Sequence, residues 1–308
     1  MKAQDATNGQ GWTVYHGDSC EVLQDFPVES IGFSLHSPPY LGLYQYSATP
    51  RDISNCRTDE EFWEHYRFVI KELFRLTKPG RIACVDLMNV PAMMVRDGYI
   101  GLKDFRGDVI REYIAAGFIW HSEHCVFKDP LIEATRTKAL GLMHQQLMKD
   151  SSMCRAGIPQ YLEAFRKPGK NAEPIKHDEP LKWYGQDEPT TGNLSRERWR
   201  RYASPIYMDI DFTNTLNAAA ARDDDDERHI APMSMDLINR AIELWSNPGD
   251  VVLDPFNGIG STGYCALKAK RRYIGIELKK SYYQQAVKNL QSVVAQERQQ
   301  DLFANVGE

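Results

Sequence analysis

The sequence has no apolar run of about 18 residues, which excludes a transmembrane helix. Its opening stretch, Met1 to Gly11, is polar and carries no apolar signal core, so export is not expected and a cytoplasmic location is. It has no Cys-x-x-Cys pair. Its six cysteines, Cys20, Cys56, Cys84, Cys125, Cys154 and Cys265, are scattered, which points to free thiols in a reducing compartment and away from a structural zinc site. His121 and His124 flank Glu123 beside Cys125, but that stretch reads as a strand, and no metal is expected. There is no internal repeat. There is also no excess of positive charge: 37 Lys and Arg face 42 Asp and Glu, a net of −5. Taken alone, that balance disfavours a general nucleic-acid coating protein.

What is present is ordinary globular material, 42% hydrophobic and 26% charged over 308 residues. This suffices for one large α/β domain with an insertion, or for two domains. An apolar stretch from Val28 to Leu35 ends at His36-Ser37-Pro38-Pro39-Tyr40, where two prolines cannot continue a central strand. A capping box follows, in which Thr58 caps a helix and Glu61 reaches back. Phe62, Tyr66, Ile70 and Leu73 then recur on one face, and Lys78-Pro79-Gly80 is expected to stop that helix. Arg81 to Leu87 reads as a strand, Asp104 to Ala116 as a helix ending at Gly117, and Phe118 to Phe127 as another strand. From about residue 129 to 228 the pattern breaks into polar, Pro-punctuated sequence, too long for one loop of a compact domain. This stretch reads as an inserted module ending in the acidic run Asp223 to Glu227, which is expected to be a solvated turn. Regular α/β pattern then resumes, with a helix capped by Ser234, a strand Val251 to Asp254, a helix, a strand Arg272 to Glu277 and a last helix from about Ser281. Strands alternating with helices indicate βαβ units and a mostly parallel sheet.

Two motifs carry chemistry. Asp254-Pro255-Phe256-Asn257-Gly258-Ile259-Gly260-Ser261-Thr262-Gly263 lies between a strand and a helix, the setting of a nucleotide-cofactor loop. Its glycines allow close backbone approach, and the helix start offers unpaired N–H groups. Glu277 ends the next strand, where a carboxylate can accept from both hydroxyls of a ribose. The bare Gly-x-Gly-x-x-Gly spacing arises by chance in about one chain in ten of this glycine content, and a tight turn without a ligand is its plain alternative. Ser37-Pro38-Pro39-Tyr40 is rarer, expected by accident in roughly one chain in several hundred. Its chemistry suits an exocyclic amino group, whose lone pair is delocalised into the base. The Ser37 hydroxyl and the Pro38 carbonyl can accept its two N–H bonds and localise that pair, while Tyr40 can stack on the base. A base reaches such a pocket only when flipped out of the duplex.

On these residues the chain resembles the S-adenosylmethionine-dependent DNA amino-methyltransferases, which act on N4 of cytosine or N6 of adenine. The catalytic motif precedes the cofactor motif, as in the beta arrangement. The resemblance implies a Rossmann-like methyltransferase fold: α/β, with a mostly parallel twisted sheet and helices on both faces. It implies a catalytic half at 1–128, an inserted target-recognition region at 129–228 and a cofactor-binding half at 229–308. It assigns Ser37, Pro38, Pro39 and Tyr40 to catalysis. Asp254, Phe256, Asn257, Gly258, Gly260, Ser261 and Glu277 go to S-adenosylmethionine. Asp18, in His16-Gly17-Asp18, matches an acidic position near the adenine end of the cofactor, with a turn or N-cap aspartate as the alternative. His229 to Ser234 matches only loosely a motif that closes the methionine end.

The leading Ser37 favours cytosine, with N6 of adenine as the runner-up. Transfer is direct, so the six thiols are bystanders and positioning carries the rate. Double-stranded DNA is the expected partner, with no membrane, and the resemblance admits a companion restriction endonuclease and a homodimer. Across residues 128–202, fourteen Lys and Arg face ten Asp and Glu. The densest cluster holds Arg196, Arg198, Arg200 and Arg201 with Trp199 and Tyr202; it suits phosphate contact, or else is a charged helix face. Lys128, Arg136, Lys138 and Lys149 are further candidates. Two other readings stay open at this point: a nicotinamide oxidoreductase, from the glycine spacing, and a nucleic-acid-binding module without activity. Non-specific DNA affinity is expected to be modest and salt-sensitive.

Overall fold

The computed structural model describes residues 3–40, 51–92, 94–137, 142–177, 196–217 and 232–306. The acidic run Asp223 to Glu227, the start of the His229 to Ser234 match, and Lys138 lie outside the described residues. The strands are β1 (Asp5–Gly9), β2 (Trp12–His16), β3 (Ile31–His36), β4 (Thr77–Met88), β5 (Val90–Ala92), β6 (Gly101–Lys103), β7 (Ile119–Val126), β8 (Gln160–Arg166), β9 (Ile206–Tyr207), β10 (Val251–Asp254) and β11 (Arg272–Glu277). The helices are α1 (Ser19–Val22), α2 (Asp59–Leu76), α3 (Met94–Asp97), α4 (Phe105–Ala115), α5 (Pro130–Thr137), α6 (His144–Lys149), α7 (Arg196–Tyr202), α8 (Met235–Trp245), α9 (Ser261–Lys268) and α10 (Lys280–Val306).

Nine strands form one sheet in the order β1-β2-β11-β10-β3-β4-β8-β7-β9, and β5 pairs with β6 apart from it. The five strands from β2 to β4 are parallel, with β1 and β8 antiparallel to their neighbours. Both faces are covered, which explains why these strands are continuous apolar runs rather than alternating ones. Along β4, Ile82 and Cys84 pack with α8, α9 and α10, while Ala83, Val85 and Leu87 pack with α2 and α4. On α2, Phe62, Tyr66, Val69, Ile70 and Leu73 form the buried stripe, as the spacing predicted.

The chain leaves β3 through α2 to reach β4 on one side, and leaves β10 through α9 to reach β11 on the other. The winding therefore reverses between β3 and β10, which are hydrogen-bonded neighbours with Val252 opposite Phe33 and Leu253 opposite Ser34. In open parallel sheets ligands bind in the crevice at the carboxyl ends of such a pair. Here those ends carry Ser37 to Tyr40 and Asp254 to Gly260.

Three expectations are corrected. Residues 129–228 do not stand outside the sheet: β8 lies inside it, paired with β4 and β7, and β9 closes its edge beside β7. Polar and Pro-rich flanks hid a strand whose side chains at Leu162, Ala164 and Phe165 are fully buried. Lys78-Pro79-Gly80 does not separate helix from strand but forms a bulge, in which two residues of β3 span five of β4. Gly80 takes φ +73° there and its N–H donates to the Lys167 carbonyl at 3.0 Å. Ser234 precedes α8, yet its hydroxyl donates to the Asp211 carbonyl at 2.7 Å instead of capping the helix.

Under the bulge, Arg81 is fully buried. Its Nε donates to the Gly32 carbonyl at 2.9 Å, its Nη1 to the Glu173 carbonyl at 3.1 Å, and its Nη2 pairs with Asp250. This ties the entry of β4 to that of β10, the two strands that flank β3.

Candidate active site

The glycine loop is built by three different steric requirements. Gly258 takes φ +53°, and a Cβ placed there meets nothing within 4 Å, so the loop faces open space at this residue. Gly260 caps α9 in the left-handed region at φ +86°. Gly263 allows contact with β11, since a Cβ there would lie 2.4 Å from the Tyr273 ring. Asn257 is buried and braces the turn: its Oδ1 accepts from the Tyr273 hydroxyl at 2.6 Å and its Nδ2 donates to the Gly258 carbonyl at 3.1 Å.

Glu277 stands at the end of β11 beside this loop. One carboxylate oxygen accepts the Gly258 N–H at 2.7 Å and the other the Lys279 N–H at 2.8 Å. Burial pushes its carboxyl up to about 8, with the charges of Asp254 and Asp52 adding to the rise and the two backbone donors opposing it. Asp254 is buried too, and that burial lifts it to about 7 against hydrogen bonds from the Thr262 hydroxyl and the Phe256 N–H. Ser261 opens α9 and is buried. Asp18 joins the same strand ends: Gly17 donates to the Glu277 carbonyl at 2.9 Å, and the Ser19 hydroxyl donates to the Pro255 carbonyl. The Asp18 carboxylate itself accepts the Cys20 N–H at 2.9 Å, so the N-cap role left open by the sequence is the contact observed.

The second motif leaves β3 next to this loop. Ser37 is half-buried, while Pro38, Pro39 and Tyr40 are buried. Tyr40 was expected to offer a stacking face. Instead its ring lies against Phe105 at 5.2 Å and its hydroxyl accepts the Met88 N–H at 3.0 Å, which makes it part of the wall. Immediately before Ser37, His36 is fully buried, with its Nε2 3.0 Å from the Tyr66 hydroxyl and its ring 5.6 Å from Phe256. Burial pushes it down to about 3, so it is a neutral imidazole. His36 is thus the side chain through which the two motifs touch. In the neighbouring strand Asp86 lies one residue beyond Val85, the register partner of His36, and so at the level of Ser37. Burial lifts Asp86 to about 6, and both its oxygens accept from Gln160 Nε2, at 2.5 and 2.6 Å.

This pairing of motifs is accompanied by direct similarity. Residues 32–288 match the N6/N4 DNA methylase family. The chain belongs to that family. The Type II methyltransferase M.Cfr9I of Citrobacter freundii is 43% identical over 306 residues, 91% of this chain and 88% of its own. The Type II methyltransferase M.BglI of Bacillus subtilis is 24% identical over 313 residues, covering 90% and 85%. Among solved structures, the DNA modification methylase TTHA0409 of Thermus thermophilus complexed with S-adenosyl-L-methionine is 25% identical, with a TM-score of 0.62 over 91% of this chain and 93% of that one. The cytosine-N4-specific PvuII DNA methyltransferase shares the fold at a TM-score of 0.55 and 19% identity, covering 91% and 86%. Family membership replaces the nicotinamide reading of the glycine loop.

Other expected residues fall elsewhere. The arginine cluster does form a helix, α7, but Arg198 pairs with Glu243 and Arg201 with Asp209. Both cations are committed to carboxylates of the same chain, where free phosphate contacts were expected. Arg200 and Trp199 are exposed, and Arg196 heads the helix. His121, Glu123 and His124 are dispersed along β7: His124 Nδ1 meets the Ser204 carbonyl at 2.9 Å, Glu123 pairs with Arg106 and His121 meets Ser122. The sequence reading missed His36 and Asp86. The available signal for both was a titratable residue inside an otherwise apolar strand, since such groups are rarely buried without a specific partner or task. No helix among the described residues is long and apolar enough to cross a membrane.

Proposed function

We propose that this DNA methyltransferase moves a methyl group from S-adenosylmethionine to the exocyclic N4 of a cytosine flipped out of double-stranded DNA. The observation that carries the base assignment is Ser37, a neutral hydroxyl, at the head of Ser37 to Tyr40. The chain's own residues fit the cofactor. Glu277 is an acceptor at a strand end, Gly258 leaves space beside it, and Phe256 lies at the junction of the two motifs. In this reading Glu277 takes the ribose hydroxyls, Phe256 flanks the adenine, and Asp254, Asn257, Gly260 and Ser261 shape the loop around the rest. When bound, the cofactor supplies an electrophilic methyl on a sulfonium whose departure leaves a neutral sulfur.

The protein then has to localise the nitrogen lone pair and hold it in line. The Ser37 hydroxyl and Pro38 carbonyl accept the two amino N–H bonds. The buried prolines and the Tyr40–Met88 hydrogen bond keep these acceptors from relaxing, which is how positioning lowers the barrier. The methylated nitrogen must shed a proton, and Asp86 offers a basic carboxylate at that level of the sheet. Similarity to Type II methyltransferases supports a role in restriction–modification, beside an endonuclease. Incubating the protein with labelled S-adenosylmethionine and diverse duplex DNA, then digesting to nucleosides, tests the reading. N4-methylcytosine is expected; N6-methyladenine alone overturns the base assignment, and absence of both overturns methyl transfer.

A further inference from the structure

The first turn of α2 gathers three kinds of metal donor on one side. The Thr58 hydroxyl accepts the Glu61 N–H at 3.2 Å, and a Glu61 carboxylate oxygen turns back to accept the Arg57 N–H at 2.8 Å. That capping geometry holds the carboxylate over the segment just before the helix, where Cys56 lies. His65 follows Glu61 by four residues and shares its face. The Cys56 sulfur, a Glu61 carboxylate oxygen and a His65 ring nitrogen all lie within 4.8 Å of one another. Bonds of about 2.0–2.3 Å around a tetrahedral ion set its donors roughly 3.3–3.8 Å apart, a distance that small rotations of these side chains reach.

We propose that Cys56, Glu61 and His65 form a three-ligand site for a divalent transition ion, with zinc the best match to the donor set. A thiolate, an imidazole and a carboxylate together suit a borderline ion better than magnesium or calcium, which prefer all-oxygen shells. Three protein donors leave the fourth position to water. The backbone under the donors is fixed before any ion arrives: the Cys56 N–H donates to the Ile53 carbonyl at 3.3 Å, and the His65 carbonyl accepts from the Cys20 thiol at 3.7 Å. Asp52 and Glu61 both place negative charge near the sulfur, a field that a cation relieves.

The position has a consequence for the site described above. Asp52 caps the short turn Ile53–Asn55, and it lies close enough to Glu277 for its charge to act on that carboxyl. An ion at Cys56 therefore pins the segment that follows Ser37 to Tyr40 onto α2, beside the ribose-binding carboxylate.

The test is a cobalt titration of the full chain stripped with a chelator, followed by displacement with zinc. One equivalent of Co²⁺ giving a thiolate charge-transfer absorbance is expected. Cys56→Ser should abolish the absorbance, and His65→Ala should weaken binding by more than about 100-fold, beyond the usual effect of an outer-sphere partner. Cys125→Ser and Cys154→Ser should leave both unchanged. Circular dichroism reports folding of each variant, and Glu61→Gln provides a second ligand variant if one misfolds. Absence of the absorbance, its survival in Cys56→Ser, or unchanged affinity in His65→Ala overturns the site. The readout is independent of methyl transfer, so failure of the catalytic reading leaves it intact.

Discussion

Glu277→Gln separates the ribose assignment from a merely structural role for this carboxyl. In the free chain each oxygen already accepts one backbone N–H, from Gly258 and Lys279, and each keeps a second acceptor direction for a ribose hydroxyl. Gln preserves shape but offers one acceptor oxygen, so one charge-assisted bond to the cofactor is lost. Such bonds contribute about 1.5–3 kcal/mol, so affinity should fall by about 10- to 150-fold. The carboxyl adds a pH signature. With its pKa pushed up to about 8 by burial, the free wild-type chain is largely protonated at neutral pH. Binding favours the carboxylate, so wild-type affinity should climb with pH, by up to about tenfold per unit below pH 8, and level off above it. The variant has no such slope. The linkage to stability has the opposite sign. A carboxyl raised from 4.5 to about 8 stabilises the cofactor-free fold fully only below the lower value, and that contribution is lost as pH rises through about 8. Titration calorimetry with S-adenosylhomocysteine between about pH 6.5 and pH 9 reads affinity and proton release together. Equal pH slopes in the two proteins, or a variant within about twofold of wild type at the alkaline end, would refute the assignment.

Ser37→Ala should lower turnover by about 100-fold or more while S-adenosylhomocysteine affinity stays within about twofold, because it removes an acceptor for the amino group and nothing from the cofactor loop. Gly258→Ala should cost about 1–2 kcal/mol in urea unfolding, from its positive φ, and weaken cofactor binding further as its methyl enters the open side of the loop. Asp250→Ala leaves the fully buried Arg81 without its counter-charge and should destabilise the fold by about 3–5 kcal/mol, read by urea denaturation, with Asp250→Asn milder. Arg198→Ala should leave the slope of log affinity for DNA against log salt unchanged, whereas loss of a phosphate contact would shift that slope by about 0.9.

The flanks of this chain were legible because their information is local. A capping box, a helical stripe at Phe62, Tyr66 and Ile70, and two short apolar strands are each specified within a few residues, and each appears where expected, as α2, β10 and β11. The motif residues were legible for a related reason: proline and glycine at fixed spacing dictate backbone paths that few other residues permit. β8 was not legible. Its pairing partners, β4 and β7, lie tens of residues away, and its seven residues have no turn signals of their own. The Lys78-Pro79-Gly80 bulge failed in the same way, since Pro and Gly read as punctuation unless the neighbouring strand's register is known.

The same distinction explains the charge of the middle region. Counting Lys and Arg over 128–202 treats each cation as free, but Arg198 is neutralised by Glu243, forty-five residues away on α8, and Arg201 by Asp209, just past the counted segment. Arg240 of α8 also donates to Asp209, and stacks over Tyr202 and Tyr207. α7 is therefore held to α8 by an ionic and aromatic seam. A locally basic stretch becomes a docking helix once carboxylates from outside the window are included. His36 and Asp86 show the converse. Neither belongs to a motif, and in sequence each is one polar residue in an apolar run. The parallel register of β3 with β4 sets Asp86 at the level of Ser37, and the pairing of β3 with β10 sets His36 against Phe256. The two motifs name the chemistry, but the sheet order β10-β3-β4 makes one site of them, and that order follows from the direction each crossover helix takes.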